Sequence, residues 1–313
     1  MLCVRDMEEY FERMKELLCQ ARVSRQLPTL NVTFSKSNQL SLGGFVLRFL
    51  FRERMIFNPY SLRTPVMIIG RDGLRVKGFV KSCSLTHVDI YCHKLSPFIR
   101  PGFDHRVISR EVDTASSFEG FLGAMQSGEN HVRDLVLGVK EPNPSQGVAD
   151  LEFCQLDLDV GQKESVLQLM SISDVAVLEG VAGSGKTKVL AELVWQKIKA
   201  DSTTRVLCLA ASNCGVDVLC RRLTRLGLQV VRHAPHYAVP EDMANLTPDS
   251  LMRSNLGLSS RRSIIEGATI VCATLLQATS VKLAGVLFDL VIMDESSQIP
   301  EPMSWVRWLY WAD

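Results

Sequence analysis

Gly180-Val181-Ala182-Gly183-Ser184-Gly185-Lys186-Thr187 matches the pattern G-x-x-x-x-G-K-[ST] at every fixed position. The residues around it predict the setting that pattern requires. Asp174–Leu178 is an apolar run expected as a buried strand, and Lys186–Ala200 has the periodicity of a helix. Gly180, Gly183 and Gly185 permit backbone conformations and close approaches that a Cβ would hinder. Loop amides can then converge on phosphate oxygens, and the following helix N-terminus adds positive potential. On this chemistry Ser184 belongs to the phosphate cradle and Lys186 reaches the β- and γ-phosphates. The Thr187 hydroxyl binds Mg²⁺. The loop therefore predicts ATP and Mg²⁺ as ligands and a P-loop α/β fold.

Downstream, strand-like and helix-like runs alternate. Arg205–Ala211, Gln229–Arg232, Thr269–Ala273 and Leu287–Met293 are expected as strands, and Gly215–Leu226 as a helix. Continuous apolar strands alternating with helices predict a parallel sheet covered on both faces. The run Leu290-Val291-Ile292-Met293 ends in Asp294-Glu295. A strand tipped by two carboxylates can complete a phosphate site, with Asp294 holding Mg²⁺ directly or through water and Glu295 polarising an attacking water.

The N-terminal half has a different texture. Met7, Tyr10, Phe11, Met14, Leu17 and Leu18 fall on one helical stripe within Asp6–Gln20. From about Leu30 to Val112 the runs are short and β-rich: Phe45–Phe51, Pro65–Ile69, Leu74–Val80 and His87–Tyr91. Gly43-Gly44, Asn58-Pro59 and Arg71-Asp72-Gly73 punctuate them, a spacing that suggests a small barrel. Ser116–Val139 is expected to be helical, and Glu141–Gly147 reads as a linker. The expected domains are thus a helical stalk over 1–29, a barrel over 30–112, a helical return and linker over 113–150, and the nucleotide-binding domain over 151–313.

Composition sets outer bounds. Apolar residues make up 46% and charged residues 22% of the 313-residue chain, enough for a sizeable core and typical of a soluble globular protein. The net charge of +1 gives no global basic field, although a local groove can still be basic on a neutral chain. The nine cysteines form no C-x-x-C pair. The nearest approach to a zinc set, Cys83 with Cys92 and His93, reads instead as reduced thiols and a surface histidine on a strand hairpin, so no structural zinc is expected. The N-terminus runs straight into Arg5, Asp6, Glu8 and Glu9, unlike a signal peptide, and no apolar run approaches the ~20 residues that span a bilayer. An intracellular, soluble protein is expected.

Asp294-Glu295-Ser296-Ser297-Gln298 resembles the D-E-x-x-Q motif of superfamily 1 helicases, in the branch of the nonsense-mediated-decay helicase, the immunoglobulin-mu-binding helicase and senataxin. Other stretches are similar to the same family. Val160-Gly161-Gln162 lies where it keeps an adenine-reading glutamine. Leu209-Ala210-Ala211-Ser212-Asn213 with Val216-Asp217-Val218-Leu219 is similar to its motif Ia, and Val271-Cys272-Ala273-Thr274 to its motif Ic. The family also places a stalk and a small barrel before the glutamine. The resemblance implies a RecA-like domain and ATP-driven movement on single-stranded RNA or DNA, with 5′ to 3′ polarity. It further implies a γ-phosphate-sensing role for Gln298 and backbone contacts from Ser212, Asn213 and Thr274.

Two departures qualify the resemblance. The loop has Val181-Ala182 where the family usually has two prolines, a change that leaves the glycines in place and is expected to preserve binding. The chain ends at Asp313, before motif III, so a second RecA-like domain and its arginine fingers are expected outside it. Such fingers contribute about 10³- to 10⁵-fold in rate, so residues 1–313 alone are expected to hydrolyse ATP poorly. The alternative reading is a truncated or degenerate relative that binds nucleotide and a partner without turnover. A P-loop kinase would account for the loop but not for Gln162 or Asp294–Gln298.

Overall fold

The computed structural model describes residues 4–21, 29–40, 44–55, 64–109, 131–143, 147, 150–235, 238–254, 260–279, 283, 285–299 and 304. The chain divides into two compact units, one of residues 23–113 and one of residues 1–22 with 114–313.

The first helix, α1 (Val4–Ala21), belongs to the larger unit. The smaller unit contains β1 (Thr29–Gln39), β2 (Phe45–Phe51), β3 (Pro65–Ile69), β4 (Arg75–Cys83), β5 (His87–Cys92) and β6 (Asp104–Ser109). They close into a barrel in the order β1-β2-β5-β4-β3-β6, with every neighbouring pair antiparallel. Alternation fills it: Val32 and Phe34, Leu47 and Phe49, Val66 and Ile68, and Val88 and Ile90 all point into one core. The two-residue period of a strand puts such pairs on the same face. Cys83 and Cys92 lie toward opposite ends of the β4–β5 ladder, where Cys83 pairs with Val88 and Phe79 with Tyr91. Burial pushes the Cys92 thiol up to about 12.

The larger unit continues with α2 (His131–Val136), α3 (Val160–Ser171), α4 (Lys186–Ala200), β7 (Val206–Ala210), α5 (Asn213–Arg225) and β8 (Val230–Arg232). After a 3₁₀ turn at Glu241–Leu246 come α6 (Pro248–Ser254), α7 (Arg261–Glu266), β9 (Ile270–Thr274), α8 (Leu275–Ala278) and β10 (Leu290–Asp294). The sheet order is β10-β7-β9-β8, all parallel. The unbroken apolar strands have a simple cause, since successive residues feed opposite faces and both faces are covered. Val206, Cys208, Ile270 and Cys272 pack under α4 and α5 with Ala191, Val194, Leu219 and Leu223. Leu207, Leu209, Val271 and Ala273 pack on the other side with Phe11 and Met14 of α1 and Ile264 and Ile265 of α7.

One expected element is corrected. Asp174–Leu178 is not a strand but irregular backbone. It lines a cleft beside β10, with Val177 79% exposed. A strand is held by ladder hydrogen bonds together with burial of its side chains, and this run has neither. The helix expected over Ser116–Val139 is described only from His131: α2 ends at Val136, Leu137–Val139 turn away around Gly138 at a φ of +69°, and residues 116–130, like Asn58-Pro59, lie outside the described residues.

Candidate active site

Parallel sheets gather ligands beyond the carboxyl ends of their strands. Here the ladder aligns Asp294 of β10 with Ala210 of β7, and Ala210 with Thr274 of β9. Two residues expected from sequence therefore share one row, about 10 Å apart at the strand spacing, and Ser212 begins two residues beyond its centre.

The glycine loop enters α4 through Gly185, whose φ of +86° suits a residue without a Cβ. A Cβ there would lie 2.6 Å from Gln162 Nε2. Gly183 has a φ of +81°, so two left-handed residues turn the loop around. No side chain caps the start of α4. Lys186 folds back over the loop and donates to the carbonyls of Gly180 (2.6 Å) and Val181 (3.0 Å). Among the described residues it has no carboxylate partner, so a half-buried cation is held beside uncapped amides.

The Thr187 hydroxyl donates to Asp294 Oδ2 at 2.7 Å, across 107 residues of sequence. Asp294 is buried, and its Oδ1 accepts from the Glu295 amide at 2.9 Å. A hydroxyl and a carboxylate in contact form a hard oxygen pair of the kind Mg²⁺ takes beside phosphates. The residues fit that ion and a nucleoside triphosphate. A cleft of about 890 Å³ opens here, lined by Gly180, Lys186, Asp294 and Glu295.

Glu295 stands apart in its backbone. Its φ of 55° makes it the one non-glycine residue with positive φ among those described. Such strain persists where the surroundings impose it, commonly at functional sites. Its carboxylate accepts from the Ser212 hydroxyl at 3.4 Å and packs over Gly215, where a Cβ would come within 2.7 Å of Oε2. Gln298 N–H donates to Glu295 O, closing a 3₁₀ turn. The Gln298 side chain is exposed and makes no hydrogen bond among the described residues, so the structure does not bring it to the other site groups.

Gln162 is tied to the loop. Its Oε1 accepts from Asp159 N in a capping box on α3, and its Nε2 donates to Ser184 O at 3.0 Å. Behind it, buried Glu192 of α4 accepts from the amides of Cys154 (2.9 Å) and Gln155 (3.0 Å). Lys188 pairs with Asp157 at 2.8 Å, and its hydrogen bond holds that carboxyl below the usual range. The segment leading to Gln162 is thus fastened to the helix that carries the loop.

The expected strand contacts are all engaged structurally. Ser212 caps α5 by accepting from Gly215 N at 3.0 Å. Thr274, buried, caps α8 by accepting from Gln277 N. Asn213 Oδ1 accepts from Arg232 Nη2 at 2.7 Å. Arg232, Gln277 and Glu192 were not singled out from sequence. For Arg232 the available signal was an arginine ending an otherwise apolar strand; Gln277 had the weaker one of a glutamine three residues after a threonine cap.

A family profile described as AAA domain matches residues 157–260 and 253–307. DNA-binding protein SMUBP-2 of Mus musculus is 28% identical over 222 residues, covering 55% of this chain and 22% of that protein. Regulator of nonsense transcripts 1 homolog of Neurospora crassa is 29% identical over 177 residues, 47% of this chain and 16% of its own length. DNA replication ATP-dependent helicase/nuclease DNA2 of Saccharomyces cerevisiae is 30% identical over 149 residues, again 47% of this chain and 10% of its own. The chain spans about a fifth or less of these three relatives. The match falls on the loop, the carboxylate-tipped strand and the sheet between them, and with these relatives it supports a superfamily 1 helicase of the branch that contains the regulator of nonsense transcripts 1 and SMUBP-2.

Proposed function

We propose that this chain is the nucleotide-binding part of an ATP-driven motor on single-stranded RNA or DNA. Residues 151–313 act as a RecA-like domain, residues 30–112 as an accessory barrel, residues 1–29 as a helical stalk, and residues 113–150 as a helical return and linker. Loop amides and Lys186 grip the β- and γ-phosphates, and Gln162 reads the adenine edge. Mg²⁺, held by Thr187 and Asp294, would neutralise charge on the phosphates. Glu295 accepts the proton of a water as its oxygen attacks the γ-phosphorus and the bond to the β–γ bridging oxygen breaks, leaving ADP and phosphate. Gln298 senses whether the γ-phosphate is present. Ser212, Asn213 and Thr274 hold the sugar–phosphate backbone, which positions a strand without reading its sequence.

The observation that carries this reading is the Thr187–Asp294 hydrogen bond beside Lys186, which joins the loop to the carboxylate strand. No helix among the described residues is long and apolar enough to cross a membrane. A hydrogen bond with Cys272, then burial, pushes the Cys220 thiol far above its ordinary range, and a hydrogen bond with Cys208 together with burial does the same to Cys272, so both stay protonated in the core, which suits a reducing, intracellular compartment. In the complete gene product, single-stranded homopolymers are predicted to raise the rate of ATP hydrolysis. Equal rates with and without a strand would favour a relative that binds nucleotide without acting as a motor.

A further inference from the structure

Arg232 ends β8, pairs in register with Cys272 of β9, and is fully buried. Its guanidinium is divided among three side chains. Nε donates to Asp217 Oδ1 (3.1 Å), Nη2 to Asn213 Oδ1 (2.7 Å) and Nη1 to Gln277 Oε1 (3.1 Å). Asn213 and Asp217 belong to α5, which follows β7, and Gln277 belongs to α8, which follows β9. One cation therefore links the two segments at the carboxyl edge of the sheet.

The chemistry of the fork fixes more than distance. A guanidinium has five donors and no acceptor. Whatever amide atoms face it must be oxygens, so the orientations of Asn213 and Gln277 are set by Arg232 and are not free to flip. Gln277 Oε1 also accepts from Thr274 N, which fixes it a second time. With both oxygens turned inward, Asn213 Nδ2 and Gln277 Nε2 are left over. Both residues are half-buried, and neither nitrogen makes a hydrogen bond among the described residues.

We infer that Arg232 is a positioning residue that presents the Asn213 and Gln277 amide nitrogens as paired donors, and that Gln277 is a further contact to a phosphodiester backbone. The inference rests on the strand-binding reading of this edge and adds to it a residue, Gln277, and a reason for the polarity of the grip. A ligand at this pair must be an acceptor, as a phosphodiester oxygen is. Buried Arg232 orients the donors and touches no strand itself.

The test is binding of fluorescent single-stranded oligo-dT and oligo-U to the full chain, read by anisotropy across a salt series, with thermal melts and active-site stoichiometry for each variant. Gln277→Glu keeps an oxygen toward Arg232 and keeps the capping box, but turns the outward donor into an anion. Gln277→Ala removes the donor without adding charge. Arg232→Lys keeps the charge beside Asp217 but cannot serve both amides. Gln277→Ala and Arg232→Lys should weaken binding about tenfold, the size of one hydrogen bond to a charged group, with the salt slope unchanged. Gln277→Glu should weaken it further without lowering the melting temperature. A purely structural role would lower stoichiometry and leave the dissociation constant of the remaining sites unaltered, which overturns the inference. Wild-type chain that binds with all three variants equally tight also overturns it while sparing the strand-binding reading. Wild-type chain that binds neither oligonucleotide sinks both.

Discussion

Ser212 carries two bonds through one hydroxyl. Its lone pair accepts from Gly215 N at the start of α5, and its proton goes to Glu295 at 3.4 Å. The two roles separate by substitution. Ser212→Ala should lower stability by about 1 kcal/mol and Ser212→Gly by only a few tenths, because glycine is tolerated at an N-cap. Both lose the bond to Glu295, so thermal melts should split the pair where any effect on hydrolysis would not. Sequence marked Ser212 as a strand contact through resemblance alone. Its cap was also open to reading, since a serine before an apolar-periodic helix is the usual signal. The contact with Glu295 was not, because it depends on β7 and β10 lying side by side. Arg232 was hidden for the same reason: its partners lie 15, 19 and 45 residues away, and only the sheet order brings them together.

Among elements, the loop and α4 were legible because their signal is local. A glycine pattern and a 3.6-residue period need no distant partner, and α4 begins at Lys186 and ends at Ala200 as expected. The buried strands were legible from continuous apolar runs. The run at Asp174–Leu178 shows the limit of that reasoning, since the same composition without ladder and burial stays irregular. β1 and β6 were not singled out as strands, because polar residues interrupt both: Ser35, Lys36, Ser37 and Asn38 in β1, and Asp104, His105 and Arg106 in β6. The loop geometry makes a prediction at this scale. Gly185→Ala places a Cβ at a φ of +86° and 2.6 Å from Gln162 Nε2. It should destabilise the chain by more than about 1 kcal/mol, as alanine does where φ is positive. The denaturant midpoint should fall with an unchanged slope. A variant as stable as wild type would mean that the loop does not hold this conformation in solution.

At the scale of the whole molecule, pH acts on the barrel through two carboxylates. In the barrel, burial would raise Asp89, but hydrogen bonds from Arg48 and Ser82, together with the charge of Arg48, outweigh it and hold the carboxyl below its ordinary 3.8. Asp104 is likewise held low by hydrogen bonds from Thr33, Arg52 and Arg71. A carboxylate depressed in the folded state adds stability that is complete above its unfolded value and is lost as pH falls through the folded one. The barrel should therefore lose stability on the acid side of pH 3.8. Asp89→Asn should be less stable near neutrality but flatter with pH, as followed by circular dichroism melts. An acid profile as steep in Asp89→Asn as in wild type would assign the loss to other groups.

The larger unit rests on one claim, that Lys186, Thr187 and Asp294 form a single Mg²⁺–nucleotide site at the carboxyl edge of the sheet. Calorimetric titration of the chain with ATP, with and without Mg²⁺, tests it most directly. Wild type should bind in a Mg²⁺-dependent manner, and Lys186→Ala should weaken binding by about tenfold or more, the loss of a charged hydrogen-bond donor. Unchanged affinity in Lys186→Ala would contradict the account, because it would show that nucleotide binds away from the loop.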